Sequence, residues 1–225
     1  MQTYIILSEK KWHTKLYESL QKQFADDRWI LIDRKEDFTL SRLKELNPSS
    51  IFIPHWSYII PEEIFSSYEC IVFHMTDLPF GRGGSPLQNL IVRGFQSTQI
   101  SAIKVDKGID TGDIYLKSPL QLTGSAMEIF EQMIPVIESM IKKIILEEII
   151  PVPQTGEATI FQRRTPEQSN ISQLENISEI YDYIRMLDAD GYPKAFTELN
   201  GFRFEFENAQ MKGEEIIAHV RIFKK

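Results

Sequence analysis

Residues 70–113 read CIVFHMTDLPFGRGGSPLQNLIVRGFQSTQISAIKVDKGIDTGD, and the rest of the chain is organised around this stretch. Ile71, Val72 and Phe73 form a short apolar run with β preference, expected as a buried strand. His74 is the first ionisable residue after it, where the chain leaves the sheet. Thr76, Asp77, Leu78 and Pro79 follow, then Gly81, Gly83 and Gly84, a turn that allows tight backbone approach to a ligand. Gln99 to Val105 largely alternates polar and apolar residues and reads as the next strand, after which Asp106 to Asp113 turns the corner. If those two strands are neighbours, His74 and Asp110 meet, which is an active-site layout.

Strand and helix alternate upstream. Thr3 to Leu7 is a β-type run; Lys11 to Phe24 carries Trp12, Leu16, Leu20 and Phe24 at four-residue spacing and is expected as a helix. Trp29 to Ile32 is the second strand, and Phe38 to Leu46 a short helix ended by Asn47-Pro48. Ser50 to Pro54 and Glu69 to Phe73 supply two more strands around a helical turn opened by Pro61. The pattern predicts an α/β fold, a Rossmann-like, mostly parallel twisted sheet with flanking helices that binds ligands outside the carboxyl ends of its strands. His55 and His74 both fall there. No G-x-G-x-x-G follows the first strand, so a nicotinamide cofactor has no fingerprint here.

Ser125-x-x-Glu128 looks like a capping box opening a long helix to about Glu148, with a kink expected at Pro135. Pro151-Val152-Pro153 and Gly156 mark a break, giving a catalytic domain at 1–150 and a small C-terminal α+β subdomain at 151–225. In the latter, a helix runs from Asn176 through Leu187. Ala195–Leu199 and Phe202–Glu207 form a hairpin around Asn200-Gly201, and Glu215 to Phe223 is a third strand. The Phe-rich hairpin either covers the substrate side or forms a homodimer contact.

With 225 residues, 42% of them hydrophobic, the chain can bury a full core. Its single cysteine, Cys70, rules out a disulfide framework within one chain and fits a reducing cytoplasm. The start lacks a signal peptide's basic and apolar regions, and no apolar run approaches membrane-spanning length. A net charge of -7, from 25 basic and 32 acidic residues, gives no global attraction for nucleic acid and weighs against a tRNA substrate.

The central segment resembles the folate-dependent formyltransferases, whose signature is a strand ending in Asn-x-His, a Pro- and Gly-rich loop, then a Leu-Asp-Thr-Gly-Asp loop. His74, Leu78-Pro79, Arg82-Gly83 and Ile109-Asp110-Thr111-Gly112-Asp113 match in order. The resemblance extends to His55-Trp56-Ser57-Tyr58-Ile59-Ile60-Pro61 and to Arg163-Arg164-Thr165-Pro166. It implies N10-formyltetrahydrofolate as co-substrate and no metal. His74 is then the acid/base or oxyanion group, and Asp110 its orienting partner and proton acceptor. Asp113 is expected to cap its own loop. The family's asparagine is replaced by Val72, which has no side-chain donor. The candidates for its substitute are His55 and then Thr76.

Further roles follow from the same resemblance. Trp56, Tyr58, Ile60, Asp106 and Gly108 lie in the segments that line the folate pocket. Arg82, Gly83, Gln88 and Asn89, on the glycine turn and the helix after it, either bind a phosphate or sugar hydroxyl or are solvated surface. Arg163 and Arg164 either bind a diphosphate or form salt bridges. The stretch from Ile184 to Phe196 is similar to the sugar N-formyltransferases, and the tRNA enzymes' basic C-terminal barrel is missing. The expected acceptor is therefore the amine of a nucleotide-linked amino-deoxy sugar of the 4-amino-4,6-dideoxy, pseudaminic type, in surface-glycan synthesis. The alternatives are a carrier-bound amino acid or tRNA as acceptor, or a non-catalytic folate-binding protein.

Overall fold

A computed structural model describes all residues, Met1–Lys225. Its strands are β1 (Thr3–Ser8), β2 (Arg28–Ile32), β3 (Ser50–His55), β4 (Cys70–His74), β5 (Arg82–Gly83), β6 (Ser97–Lys104), β7 (Ile114–Gln121), β8 (Ile160–Phe161), β9 (Ala195–Leu199), β10 (Phe202–Lys212) and β11 (Glu215–Lys224). The α-helices are α1 (Thr14–Gln23), α2 (Leu40–Leu46), α3 (Glu62–Phe65), α4 (Pro86–Ile91), α5 (Ala126–Glu147) and α6 (Ile177–Arg185).

The chain forms two compact units. One comprises residues 1–83, 98–120 and 132–160, the other residues 84–97, 121–131 and 161–225. The second unit is thus assembled from three segments and does not begin only after Pro151.

The first unit is built on a sheet in the order β2-β1-β3-β4-β6-β7. The first four strands run parallel, as expected, and β6 is antiparallel to β4. On one face Ile5, Leu7, Ile51, Ile53 and Cys70 pack with Phe38, Leu43, Ile60 and Ile64. On the other, Tyr4, Trp29 and Phe52 form a ring cluster with centroid separations of 4.9 to 6.2 Å. Leu16 and Leu20, one turn apart on α1, are fully buried. Strand alternation divides the two faces cleanly. Helix α2 starts under a Thr39 cap on the Arg42 N–H and stops at Asn47, which takes the left-handed conformation at φ 44°.

Boundaries differ from the sequence reading at both histidines, and β10 runs past Glu207 to Lys212. His55 is the last residue of β3 and His74 the last of β4; neither lies beyond its strand. Strand β7 has no counterpart in the sequence reading. It sits at the sheet edge and its segment ILE-TYR-LEU-LYS-SER-PRO-LEU-GLN alternates only weakly, with Pro119 tolerated because an edge strand leaves an N–H unused.

In the second unit an antiparallel sheet in the order β11-β10-β9 carries α6. The hairpin turn lies at Asn200 and Gly201, both at positive φ (50° and 80°), the two-residue turn that matches strand twist. The capping box at the start of α5 is present: the Ser125 N–H donates to Glu128 Oε2 at 2.7 Å, and the Glu128 N–H to Ser125 Oγ at 3.3 Å. Helix α5 continues through Pro135 as one element. No helix is long and apolar enough to cross a membrane.

Candidate active site

The site grows from the end of β4. Because β6 runs antiparallel to β4, pairing Ile71 with Lys104 and His74 with Ser101, the loop after β6 starts at the far end of β4 from His74. The expected meeting of two adjacent strand ends is therefore achieved differently: the loop folds back. Val105 N–H bonds to Cys70 O and Lys104 N–H to Asp113 O, which turns the chain at once. Gly112 makes the turn possible, since a Cβ there would lie 1.7 Å from the Lys104 carbonyl oxygen. Asp110 sits in the loop at φ 54°, a conformation that costs a non-glycine residue energy and needs support from its surroundings.

The returning loop brings Asp110 Oδ2 to 3.5 Å from His74 Nδ1. The same oxygen accepts the Gly83 N–H at 2.8 Å. His74 is buried, and its Nε2 lies 2.8 Å from Gly81 O. A carbonyl oxygen can only accept, so Nε2 carries a hydrogen. Nδ1 is then the ring nitrogen that faces the Asp110 carboxylate. His74 and Asp110 thus face each other across a short gap, the carboxylate being held in place by the Gly83 N–H.

Thr76 and Ser101 shape the loop around this pair. Thr76 is fully buried and donates to Gly81 O at 3.3 Å. Ser101 donates to Thr76 O at 2.7 Å and accepts the Leu78 N–H. Gln154 was not singled out from sequence, yet its amide N–H groups bond to Asp110 O at 2.9 Å and Gly112 O at 2.8 Å. Its carbonyl accepts from Arg82 at 2.7 and 3.2 Å. No local sequence signal marks it, because Pro151 to Pro153 reads only as a break.

The remaining expectations divide. Trp56 and Tyr58 stand edge to face at 5.5 Å in the loop after β3, Ile60 is buried beneath them, and Ile59 is 86% exposed, which suits a flat, partly apolar ring. His55 pairs with Ser8 across β1 and β3, its ring edge-on to Trp12 at 6.4 Å, which sets it beside the loop after β1. Nearby His13 is buried, with its Nδ1 hydrogen-bonded to the Ser8 hydroxyl at 2.7 Å. Burial, with smaller contributions from His55 and Lys10, holds its pKa down at about 3.

Several residues expected to bind ligand make contacts within the chain. Asp106, not Asp113, caps the loop, accepting from Gly108 N–H and the Thr111 hydroxyl. Arg82 is spent on Gln154. Thr76 is sealed from solvent. Gln88 is buried and donates to Met186 O at 3.0 Å. The buried Asn89 amide donates to Gly84, Ser85 and Gln162 carbonyls and accepts from Arg93. Arg164 donates to Gln168 O and lies over the Tyr183 ring at 5.2 Å; Arg163 packs its stem against Gly84. Tyr192 is buried against Phe130, and burial raises its hydroxyl to about 12. No group of three or more His, Cys, Asp or Glu side chains is placed to hold a metal ion.

Comparison with known proteins places this arrangement. The family model described as methionyl-tRNA formyltransferase, C-terminal domain, matches residues 166–223. A solved structure titled methionyl-tRNA formyltransferase from Clostridium thermocellum is 50% identical, with a TM-score of 0.98 and full coverage of both chains. The methionyl-tRNA formyltransferase of Clostridium botulinum is 30% identical over 83% of this chain and 62% of its own length. The chain spans somewhat over half of such curated relatives, 55% for that of Francisella philomiragia. A sugar N-formyltransferase from Shewanella shares the fold, with a TM-score of 0.70, at 13% identity. The chain belongs to the folate-dependent formyltransferase family. These similarities overturn the nucleotide-sugar acceptor and the exclusion of nucleic acid expected from sequence. The relatives with substantial identity are methionyl-tRNA enzymes, and the sugar enzymes share the fold alone.

Proposed function

We propose that this protein transfers the formyl group of N10-formyltetrahydrofolate to the amine of an aminoacyl-tRNA, with methionyl-tRNA as acceptor. The family, the 50% identical relative and the names of the curated relatives support this reading. The observation that carries it is the His74–Asp110 pair, 3.5 Å apart, joined by residues 36 positions apart in sequence through a loop that folds back to meet the strand.

The nitrogen of the acceptor amine bonds to the formyl carbon, the C–N10 bond breaks, and the amine proton must leave while N10 gains one. The His74–Asp110 pair accepts the first proton and lends the second, so no metal or covalent enzyme intermediate is needed. His74 also stabilises charge on the tetrahedral oxygen, a task made heavier by the absence of an amide at position 72. Trp56, Tyr58 and Ile60 seat the pterin.

Incubation of the chain with N10-formyltetrahydrofolate and methionyl-tRNA, read as formylmethionine released by deacylation, tests the proposal. His74→Ala or Asp110→Ala is expected to lower the rate by about 10²–10⁴-fold. Folate binding by the unmodified chain with no formyl transfer to the aminoacyl group would overturn it.

A further inference from the structure

We infer that His55 is a second catalytic side chain of this site, and that its ring N–H donates to the formyl oxygen as negative charge gathers there. The inference rests on the formyl-transfer reading above and names the group that carries the oxyanion. When the amine nitrogen bonds to the formyl carbon, the carbonyl π pair moves onto oxygen; when the C–N10 bond breaks, that pair re-forms the carbonyl. A donor aimed at this oxygen makes and breaks no covalent bond, and its contribution is electrostatic.

The donors around His74 are already engaged within the chain. His74 Nε2–H donates to Gly81 O at 2.8 Å, and Nδ1 faces Asp110 Oδ2 at 3.5 Å, so this ring acts on the oxygen through its charge and not through an N–H. Val72 has no side-chain donor. The Thr76 hydroxyl donates to Gly81 O, the Gly83 N–H to Asp110, and the Arg82 guanidinium to Gln154. The oxyanion donor must come from a different strand.

Strand β3 supplies it. Its register with β4 pairs Ile51 with Cys70, Phe52 with Ile71 and Ile53 with Val72, and ends there. Both strands run two residues further, to His55 and His74. Alternation sets the two histidines on the face that carries Ile53 and Val72, and neighbouring strands lie about 4.8 Å apart, so the imidazoles flank one crevice at the carboxyl edge of the sheet. His55 is half-buried at that rim, open to a substrate group. Its other neighbour holds it in place. Ile51 N–H bonds to Glu69 O, so the missing N–H of Pro54 falls on the β1 side, where the register slips between Ile6 and Ser8 and pairs Ser8 with His55. Buried Ser8 is fixed in turn by the Lys10 N–H at 3.1 Å and by His13 Nδ1 at 2.7 Å, and Trp12 stands edge-on to the His55 ring.

Steady-state kinetics with methionyl-tRNA and with hydroxylamine as acceptors tests this, since both amines pass through the same tetrahedral oxygen and only one needs tRNA. His55→Ala is expected to lower kcat by about 10²-fold, with circular dichroism and the KM for N10-formyltetrahydrofolate unchanged. His55→Gln keeps an N–H and is expected to hold kcat within about tenfold of the unmodified chain. Val72→Asn is expected to restore much of the rate in the His55→Ala background and to add less in the unmodified chain, because the two donors serve one oxygen. Unchanged turnover in His55→Ala, a fall in His55→Gln as deep as in His55→Ala, or the same gain from Val72→Asn in both backgrounds would overturn the inference. Transfer to hydroxylamine but not to methionyl-tRNA overturns the acceptor reading alone and leaves these comparisons standing; transfer to neither overturns both.

Discussion

Val72 occupies the β4 position two residues before His74, and strand alternation puts both side chains on one face. Val72→Asn is therefore expected to return a donor to the side of His74 where the family signature carries one. The formylation rate should rise, by up to about 10²-fold if the oxyanion is otherwise under-stabilised. Half-burial of the amide should cost about 1–3 kcal/mol of stability. Steady-state kinetics on the variant checks this, and an unchanged kcat would mean that another donor already fills the role. Gln154 makes a different prediction. Gln154→Ala frees the left-handed Asp110 and leaves Arg82 without its partner, so kcat should fall by about tenfold or more while KM for the folate changes little. A fall confined to KM would place Gln154 in binding instead. His74 and Asp110 were legible because ionisable residues next to an apolar strand and in a glycine-bearing loop stand out. Gln154 was illegible because its meaning lies 44 residues away. Gln88 and Asn89 misled because polar residues on a helix usually face water, whereas short α4 is buried on every side here.

At the level of elements, apolar patterning located β1 to β4, β9 and β11 within a residue or two, whereas β10 runs on to Lys212, five residues past the expected end at Glu207. It said nothing about direction. The antiparallel course of β6 comes from the short return between β5, α4 and β6, and periodicity in side chains is blind to it. Edge strand β7 hides because much of its surface is solvated, which blurs its alternation. Helix starts were more transparent, because capping is written in two residues. Ser125→Ala removes the hydroxyl's two bonds with Glu128 at the start of α5, leaves the Ser125 N–H bonded to Glu128 Oε2, and is expected to cost about 1 kcal/mol in denaturant unfolding. In the hairpin, Gly201 at φ 80° has no steric conflict with neighbouring atoms, so the cost of Gly201→Ala is the left-handed backbone alone, about 1–2 kcal/mol. A loss well above that would point to packing that the open surroundings of Gly201 do not contain.

For the whole molecule, fold class was legible and acceptor class was not. The residues that suggested a sugar enzyme, Arg164 and Tyr192 among them, are spent on internal carbonyls and rings, so their pattern records how the second unit folds. One buried group reaches the stability of the entire first unit. His13 is held neutral, its pKa lowered to about 3 chiefly by burial and further by His55 and Lys10, whereas the unfolded chain takes up a proton near 6.5. The unfolded state therefore binds more protons below that value, and this contribution to stability is complete above pH 6.5 and is lost as pH falls toward 3. Between pH 7 and pH 5 the loss is roughly 2 kcal/mol for this group. His13→Gln keeps a hydrogen-bonding partner for the Ser8 hydroxyl and cannot titrate. Urea unfolding of both proteins across that range is expected to show the unmodified chain losing more stability than the variant by about that amount. Parallel slopes would mean that His13 is hydrated or already paired with a proton in the folded state, and that the Ser8–His13 contact is looser in solution than 2.7 Å implies.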